Sequence, residues 1–510
     1  MSSRASDARG SLLLPSARAP AIVHARGRSA DALDALLTIV TLPAAAGAFE
    51  RLPQGARWRE LHGRSAPKSG TVRTTLLANR RHTLAVLGYL KGDASAFERL
   101  TLAGRMLKET AARAPQSVGL VAPGGAAGKV LLEALLAATL AQAFALPSFR
   151  SAPREARGIG RVTLFGAHGL DTRYAATVAG GTNLVRWLTA LPPNVLNAAG
   201  YRAAITRLAR EHALTLRWLD ERALKRLGAG AFLAVAAANA EAGAGIAHLS
   251  YRPARARTAR APDVALIGKG ILFDTGGVNL KTHRSMLDMH TDMSGSAVAL
   301  ATLVALAQLK APFAADAWLA ITENRIGPRA YKPQDVIRAA NGVTIQVIHS
   351  DAEGRMVLAD TLALAGRTRP RFMIDFATLT GACVYALTER MSGVFSNREA
   401  LERKLIEAGR VSGERVWAFP FAEDYDADIE SKVADVMQCA LEGKGDHILA
   451  TRFLSRFVPA DTPWAHVDLA SATRSGGLGH VTTDVTGFGV RFALELLLGQ
   501  ELLGALGKPS

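Results

Sequence analysis

The chain has 510 residues, 49% of them hydrophobic, and a formal net charge of +17. This length exceeds what one hydrophobic core usually supports, so we predict two domains. The two cysteines, Cys383 and Cys439, are too few for a disulfide framework and are not spaced as metal ligands, which favours a reducing cytoplasm.

The positive charge is concentrated in the N-terminal third, where residues 1–180 contain 24 Lys and Arg against 11 Asp and Glu. Such a field attracts polyanions, but these arginines are scattered and form no nucleic-acid-binding motif. The first 20 residues lack a signal-peptide core, and the longest apolar stretches fall short of the roughly 20 residues that span a membrane. We therefore expect a soluble, cytoplasmic protein without a membrane partner, and we keep nucleic acid only as a minor alternative partner.

Short apolar runs and helical patterns alternate along residues 1–178, which predicts an α/β domain. The candidate strands are AIVHA, ALLTIVTL, TLAVLGYL, SVGLVAP and RVTLFG, and the longest helical pattern is KVLLEALLAATLAQAFAL. A glycine pair at Gly180 and two helical segments broken at Pro192 and Pro193 indicate a boundary. We assign residues 1–178 to a smaller basic domain and residues 179–510 to a larger one.

The larger domain is predicted to be a central, mostly parallel sheet flanked by helices. Its candidate strands are AHLSY, DVALIGKG, AWLAIT, TIQVIHS, FMIDFAT and AHVDLA, with helical patterns such as 295–309 and 356–365 between them. Strands with few charges, separated by helices, are typical of a sheet that is covered on both faces. Because ligands bind at the carboxyl ends of such strands, the polar residues that follow them are the candidates for function.

Four carboxylates and two lysines follow these predicted strands. They are Lys269, Asp274 and Lys281 in GKGILFDTGGVNLK, Asp292 in MHTDMSGSA, and Asp351 and Glu353 in DAEGRMVLAD. Carboxylates crowded into one cleft repel each other, and two divalent metal ions roughly 3.5 to 4 Å apart would remove that difficulty. Asp351 and Glu353 would point to the same side of an extended segment. The alternative for these two acids is a structural role at the start of a helix, where acids offset the helix dipole.

Several blocks together resemble the signature blocks of the leucine aminopeptidase family, the hexameric cytosolic two-metal peptidases. The blocks are GKGILFDTGGVNLK, MHTDMSGSA, DAEGRMVLAD and DFATLTGACV, and LPPNVLNAAGY resembles a further block of the family. The resemblance runs from about Gly180 to the C-terminus and implies a metallopeptidase catalytic domain over residues 179–510. Residues 1–178 resemble the family's N-terminal domain only weakly, which implies a non-catalytic role in assembly of a homohexamer.

The resemblance also implies a role for each candidate residue. The site would hold two divalent ions, with Asp274 and Glu353 bridging them and Lys269 binding as a neutral amine. The resemblance implies zinc or manganese, and the oxygen-rich ligand set also suits magnesium. Lys281 would polarise the scissile carbonyl, and Arg355 would hold a bicarbonate ion that acts as general base. The metal ligands implied are Lys269, Asp274, Asp292, Asp351 and Glu353, and the implied substrate pocket is Met289, Thr378, Leu379, Gly381 and Ala470. The implied activity is removal of apolar first residues, such as leucine, from peptides.

The sequence departs from the family pattern near these blocks. His349 replaces a common asparagine, and we interpret it as a residue that either supports a neighbouring ligand or packs, rather than as a ligand itself. The segment QCALEGKGDHILATRFL replaces a more glycine-rich version and brings Lys444, Asp446 and His447 toward a region that shapes substrate access. Thr473 is polar at a pocket position, so strict selectivity for leucine is not expected.

Two other functions remain as alternatives. One is a fold-retaining scaffold or DNA-binding member with weak or no peptidase activity, which should have lost metal ligands, whereas none is missing here. The other is a two-metal phosphoesterase, which uses similar carboxylates but needs neither Lys269 as a ligand nor an apolar slot. Salt-dependent retention on DNA, competed equally by any sequence, would indicate electrostatic attraction alone.

Overall fold

The computed structural model describes residues 13–505 except 17, 26, 28, 46, 51, 123–124, 152–157, 167–168, 240–242, 255–260 and 501. The prediction about a signal peptide concerns residues 1–20, most of which lie outside the described residues. Two large sheets with helices on their faces confirm the predicted α/β class.

The N-terminal sheet has six strands in the order β1-β6-β5-β2-β4-β3, all parallel except β3, which runs antiparallel to β4. Its elements are β1 Ala21–His24, β2 Ala35–Leu42, α1 Gly55–Gly63, β3 Val72–Leu76, β4 Leu84–Lys91, α2 Ala96–Thr110, β5 Ser117–Val121, α3 Gly125–Gln142 and β6 Arg161–Phe165. All five predicted strands are present. A capping box between Ser95 and Glu98 fixes the start of α2.

Both faces of this sheet are buried because its strands alternate two apolar sets. Leu37 and Ile39 of β2 pack with α2 and α3 on one face. Leu36 and Val40 point to the other face, where Trp58 of α1 covers them. The N-terminal residues thus form a complete layered α/β unit.

The second sheet has eight strands in the order β15-β14-β17-β13-β9-β10-β8-β7. The strands are β7 Thr215–Asp220, β8 Gly245–Tyr251, β9 Val264–Asp274, β10 Ala315–Asn324, β13 Phe372–Ala377, β14 Ser392–Ser396, β15 Val416–Ala418 and β17 Trp464–Asp468. The four central strands, β17, β13, β9 and β10, are mutually parallel, as predicted. Their carboxyl ends therefore meet at one edge of the sheet.

Helices cover both faces of the second sheet. They are α4 Thr172–Thr189, α5 Ala198–Glu211, α6 Glu221–Leu227, α7 Gly230–Ala236, α8 His283–Met286, α9 Ser294–Leu309, α10 Glu353–Gly366, α11 Gly381–Leu387, α12 Glu399–Ser412, α13 Asp446–Ser455, α14 Val490–Leu494 and α15 Leu502–Ala505. The side chains of α9 pack in the core on one face and those of α10 in the core on the other. Gly268 of β9 permits close packing of α9, since a Cβ there would lie 2.4 Å from the Cα of Ser296.

A third, three-stranded sheet corrects one prediction. The run TIQVIHS was predicted as a strand of the central sheet, but its strand β12 (Thr344–Gln346) lies between β11 (Val336–Arg338) and β16 (Val436–Met437). Asp351 then lies in a turn and Glu353 begins α10, so the prediction that they alternate along an extended segment is also wrong. Their proximity arises from a turn that leads into a helix.

Helix α4 runs without a break through the predicted boundary at residues 178 and 179. Its C-terminal half packs on the unit built around the second sheet, where a Cβ at Gly181 would lie 2.8 Å from Val490 Cγ1. An ion pair of 2.6 Å between Arg491 of α14 and Glu133 of α3 also joins the two units. The division of the chain into residues 1–178 and 179–510 therefore remains our proposal.

Two helical stretches are long and apolar enough to cross a membrane by length and composition alone, residues 125–142 and 283–309. In their most apolar windows, 61% and 83% of the residues are buried inside the protein. Such burial is typical of core helices.

Candidate active site

The candidate site lies where the four central parallel strands end. Asp274 is the last residue of β9, Asn324 the last of β10 and Asp468 the last of β17, and Thr378 directly follows β13. The segment from Asp351 into α10 completes the site. The polar residues thus meet at the carboxyl edge, as the strand predictions required.

Lys269 is buried within β9 and contacts two acids. Its Nζ lies 2.8 Å from Asp292 Oδ1 and 3.0 Å from Glu353 Oε1, and it donates to the carbonyl of Thr378 at 2.9 Å. A Cβ at Gly354 would lie 2.7 Å from this Nζ, so the glycine lets α10 approach the lysine. Three of the predicted site residues are therefore in one ionic cluster.

Lys281 forms the second cluster. Its Nζ lies 2.9 Å from Asp274 Oδ2 and 2.5 Å from Asp351 Oδ1. Gly276, at φ +86°, turns the chain so that its N–H donates to Asp274 Oδ1 at 2.8 Å. Ligand atoms of Asp274, Asp351 and Glu353 all lie within 4.8 Å of one another, so the two clusters form one centre.

Burial and crowding perturb the protonation of this centre. Burial, followed by repulsion from Asp274, raises the pKa of Glu353 to about 8, and burial raises the pKa of Asp292 to about 6 although Lys269 opposes the rise. Burial disfavours the charged form of Lys269, but the surrounding carboxylates outweigh it and raise its pKa above the usual value. Four carboxylates face two ammonium groups, which leaves an excess of negative charge that cations would neutralise.

Two buried oxygens of the centre lack partners. Among the described residues, neither Asp292 Oδ2 nor Asn324 Oδ1 has a hydrogen-bond partner. Buried acceptors without partners are costly, and oxygen atoms of this type are ligands for hard divalent cations. The donor set, one amine and four carboxylates with an open oxygen, therefore fits divalent metal ions.

Ser350 joins the two acidic loops, a role that sequence reasoning missed. Its Oγ donates to the carbonyl of Gly276 at 2.7 Å and accepts from the N–H of Asn279 at 2.8 Å. Its carbonyl accepts from Asn324 Nδ2 at 3.0 Å and from the hydroxyl of Tyr331 at 2.7 Å. The only sequence signal was the position of Ser350 directly before Asp351.

Gln438, which directly follows β16, fixes the other side of the Asp351 turn. Its side-chain Nε2 donates to the carbonyl of Ala352 at 3.0 Å, and its Oε1 accepts from the N–H groups of Ile348 and His349 at 3.2 Å each. No local pattern reveals this role, because Gln438 lies far from the turn in the sequence.

Arg355 is buried beside the centre, and its guanidinium already donates hydrogen bonds to other groups of the protein. Its Nη2 donates to both carboxylate oxygens of Asp446 at 2.8 Å, and its Nη1 donates to the carbonyl of Gln438 at 3.2 Å. The bicarbonate ion implied by the resemblance would need this guanidinium. The side chain of Asp446 occupies it instead, so the residues present do not fit a bound bicarbonate.

The implied pocket residues occupy two neighbouring strand ends and one loop. Thr378, Leu379 and Gly381 follow β13, and Ala470 follows the adjacent strand β17. The hydroxyl of Thr378 donates to Asp292 Oδ1 at 2.7 Å, which places this loop against the acidic centre. Met289 lies in a short 3₁₀ helix, Met289–Thr291, immediately before Asp292.

The residues that depart from the family pattern have different surroundings in the structure. Lys444 pairs with Glu442 on the surface at 2.6 Å. His447 packs edge-on against Phe419 with ring centroids 4.4 Å apart. Thr473 forms an isolated β-bridge with Val485.

His349 is exposed, and its ring Nδ1 lies 3.3 Å from the N–H of Asp351. The contact places His349 beside Asp351, and its role as a supporting rather than a ligating residue stays a prediction. His349, Lys281 and Asp351 also line an open cavity of about 420 Å³. The acidic centre is therefore accessible from solvent through this cavity.

The fold and the site define an α/β protein whose acidic, lysine-containing centre suits divalent cations. Comparison with known proteins points the same way, because residues 183–494 match the model of the cytosol aminopeptidase family, catalytic domain. Since this match covers more than half of the chain, the chain belongs to the cytosol aminopeptidase family, and the predicted resemblance is confirmed.

Two curated relatives illustrate the similarity. A probable cytosol aminopeptidase of Syntrophotalea carbinolica is 42% identical over 327 residues, 63% of this chain and 64% of the relative. One from Synechococcus sp. (strain CC9605) is 36% identical over 436 residues, 84% of this chain and 88% of the relative. The first three relatives align over 64%, 64% and 62% of their own lengths, which is less than two thirds.

Two solved structures share the fold over nearly the whole chain. A mutant of tomato leucine aminopeptidase has a TM-score of 0.82 and 26% identity, covering 95% of this chain and 98% of that one. The bottromycin maturation enzyme BotP in complex with Mn has a TM-score of 0.78 and 28% identity, covering 92% and 99%.

Proposed function

We propose that the protein is a cytoplasmic metal-dependent aminopeptidase that removes N-terminal residues, preferably apolar ones, from peptides. The observation that carries this proposal is the buried centre of four carboxylates and two lysines at the carboxyl edge of the sheet. Membership of the cytosol aminopeptidase family supports it. The name of the family also supports a cytoplasmic location.

Five residues would hold two divalent ions: Lys269, Asp274, Asp292, Asp351 and Glu353. When bound, such ions lower the pKa of a water molecule and orient it toward the substrate. Lys269 would ligate only as a neutral amine, so loading requires its proton to leave. The ligand chemistry suits manganese, zinc or magnesium. That the BotP structure is a complex with Mn favours testing manganese first.

Lys281 is the group that we assign to the substrate carbonyl. Its ammonium is mostly buried and pairs with Asp274 and Asp351. Once those carboxylates bind cations, its charge is available to polarise the scissile carbonyl and to stabilise the developing oxyanion. A fixed cation in a site with little water contributes more than one in bulk solvent.

We assign the substrate side chain to the residues in and around the Thr378 loop. Met289, Leu379 and Ala470 would supply apolar surface, and Gly381 adds no side chain. Burial of an apolar first side chain would favour leucine and similar residues. Adding or removing one methylene group from that side chain changes the preference only modestly. We therefore propose a preference for apolar residues rather than strict selectivity.

We further propose that the chain assembles into a homohexamer in which the N-terminal unit contributes to assembly. Large apolar side chains are exposed in the single chain, among them Tyr385 at 92% and Leu441 at 83%. Exposed apolar side chains of this size mark interaction surfaces when they cluster. Mass measurement in solution tests this assembly.

The experiment that tests the function measures hydrolysis of L-leucine amide by the chelated protein with added manganese or zinc. We expect metal-dependent release of leucine, and Asp351→Asn should lower kcat/KM by about 100-fold or more, because a ligand becomes a neutral amide. Asp288→Asn, which changes an exposed acid near Asp292, is the matched control and should leave the rate unchanged. A folded protein without metal-dependent activity would refute the proposal.

A further inference from the structure

Arg355 requires an anion because its guanidinium is a buried cation, only 2% exposed. The anion that it contacts is Asp446, whose two carboxylate oxygens both lie 2.8 Å from Nη2. The Nε of Arg355 has no hydrogen-bond partner among the described residues.

The backbone places Asp446 at Arg355 by a specific route. Gln438 holds Arg355 Nη1 through its carbonyl, and the chain returns through Gly445, whose φ of +63° makes the turn. Asp446 is then the first residue of α13, where an acid is also favoured by the helix dipole. The segment 438–446 is thus held at both of its ends, which fixes the position of the Asp446 carboxylate.

A carboxylate and a bicarbonate ion present the same planar pair of oxygens to a guanidinium. A second anion on this guanidinium would lie beside the Asp446 carboxylate, on a side chain that shares the first turn of α10 with the acid Glu353. Repulsion between these anions disfavours the binding of bicarbonate while Asp446 is in place.

We propose that Asp446 is a built-in replacement for bicarbonate, so that the aminopeptidase reaction proceeds without that ion. This inference rests on the proposed function. In the reaction, the attacking water loses a proton to the Asp446 carboxylate as its oxygen bonds to the scissile carbonyl carbon. The proton passes to the amine nitrogen as the C–N bond breaks, and the carboxylate is regenerated.

The first experiment compares hydrolysis of L-leucine amide in CO₂-free buffer with and without sodium bicarbonate, against sodium chloride at equal ionic strength and pH. The wild-type rate should change by less than about twofold. Asp446→Ala should lose about 100-fold or more in CO₂-free buffer and regain about tenfold or more with bicarbonate, because the opened guanidinium accepts the ion. Asp446→Asn fills the space without accepting a proton, so it should be slow and unrescued.

The matched control is Glu442→Ala, which removes an exposed acid from the same segment and should behave as wild type. The second experiment is independent of activity and follows the thermal stability of the chelated proteins. Bicarbonate should raise the Tm of Asp446→Ala, in which Arg355 has lost its anion, but not the Tm of the wild type.

Strong stimulation of the wild type by bicarbonate would overturn the inference, as would an Asp446→Ala variant that bicarbonate neither activates nor stabilises. If the wild type is inactive with metal in both buffers while bicarbonate still stabilises only Asp446→Ala, the proposed function fails and Asp446 stands as the internal anion of Arg355.

Discussion

At the scale of single residues, the candidate site depends on neutral side chains as much as on charged ones. Ser350 is fully buried and connects the Asp274 loop to the Asp351 turn through its hydroxyl and its carbonyl. Asn324 reaches both Asp274 and Ser350 from the end of β10. These bonds set the spacing of the carboxylates, since the acidic side chains repel each other.

We expect Ser350→Ala to weaken manganese binding by about 10 to 100-fold, because residues that orient metal ligands typically contribute this much. Calorimetric titration of the chelated protein measures the change. Ser285→Ala, at an exposed serine that lines the cavity beside Lys281, is the control with unchanged affinity. Equal affinities of both variants would show that Ser350 has no positioning role.

The pKa of Glu353 predicts how the stability of the metal-free protein depends on pH. Burial and Asp274 raise this pKa from 4.5 to about 8, so between these values the folded state holds a proton that the unfolded state has lost. The free energy of unfolding therefore falls as the pH rises through this window.

The Tm of wild type and Glu353→Gln, measured in chelator from pH 5 to pH 8, tests this dependence. The two should be similar at the acid end, and the variant should be the more stable at the alkaline end, because glutamine mimics the protonated acid. Asp360 and Glu414, whose pKa values are also raised by burial, affect both proteins equally. A constant difference in Tm across the range would contradict this prediction.

At the scale of elements, the sequence predicted most strands of both large sheets, because buried parallel strands are short runs with few charges. The prediction assigned β12 to the wrong sheet, because an apolar run has the same pattern whichever sheet it joins. It also missed Gln438 and the pairing of Asp446 with Arg355, because these residues lie 83 and 91 positions from Arg355 in the sequence. Contacts of that separation depend on sheet order, which local patterns do not contain.

Helix α4 offers a matched pair of substitutions that tests how the two units pack. A Cβ at Gly180 meets nothing within 4 Å, whereas one at Gly181 would lie 2.8 Å from Val490 Cγ1. Gly180→Ala should stabilise the protein by about 0.5–1 kcal/mol through helix propensity. Gly181→Ala should destabilise it by about 1–3 kcal/mol through overpacking. Denaturant unfolding measures both changes, and equal effects would contradict the packing of α4 on α14.

At the scale of the whole molecule, the basic net charge and the candidate active site lie in different parts of the chain. The basic residues are concentrated in the N-terminal third, whereas the acidic centre lies at the carboxyl edge of the second sheet. The four acids that contact Lys269 and Lys281, namely Asp274, Asp292, Asp351 and Glu353, were all candidates from the sequence.

Metal-dependent aminopeptidase activity is tested most directly by titrating manganese into the chelated protein. Bound metal and hydrolysis of L-leucine amide are measured in the same samples. We predict that two ions bind per chain and that activity appears only as the metal sites fill, and that Asp351→Asn shows neither full occupancy nor full activity. Full activity of the chelated wild type, or a folded protein that binds manganese without hydrolysing the amide, would contradict the account.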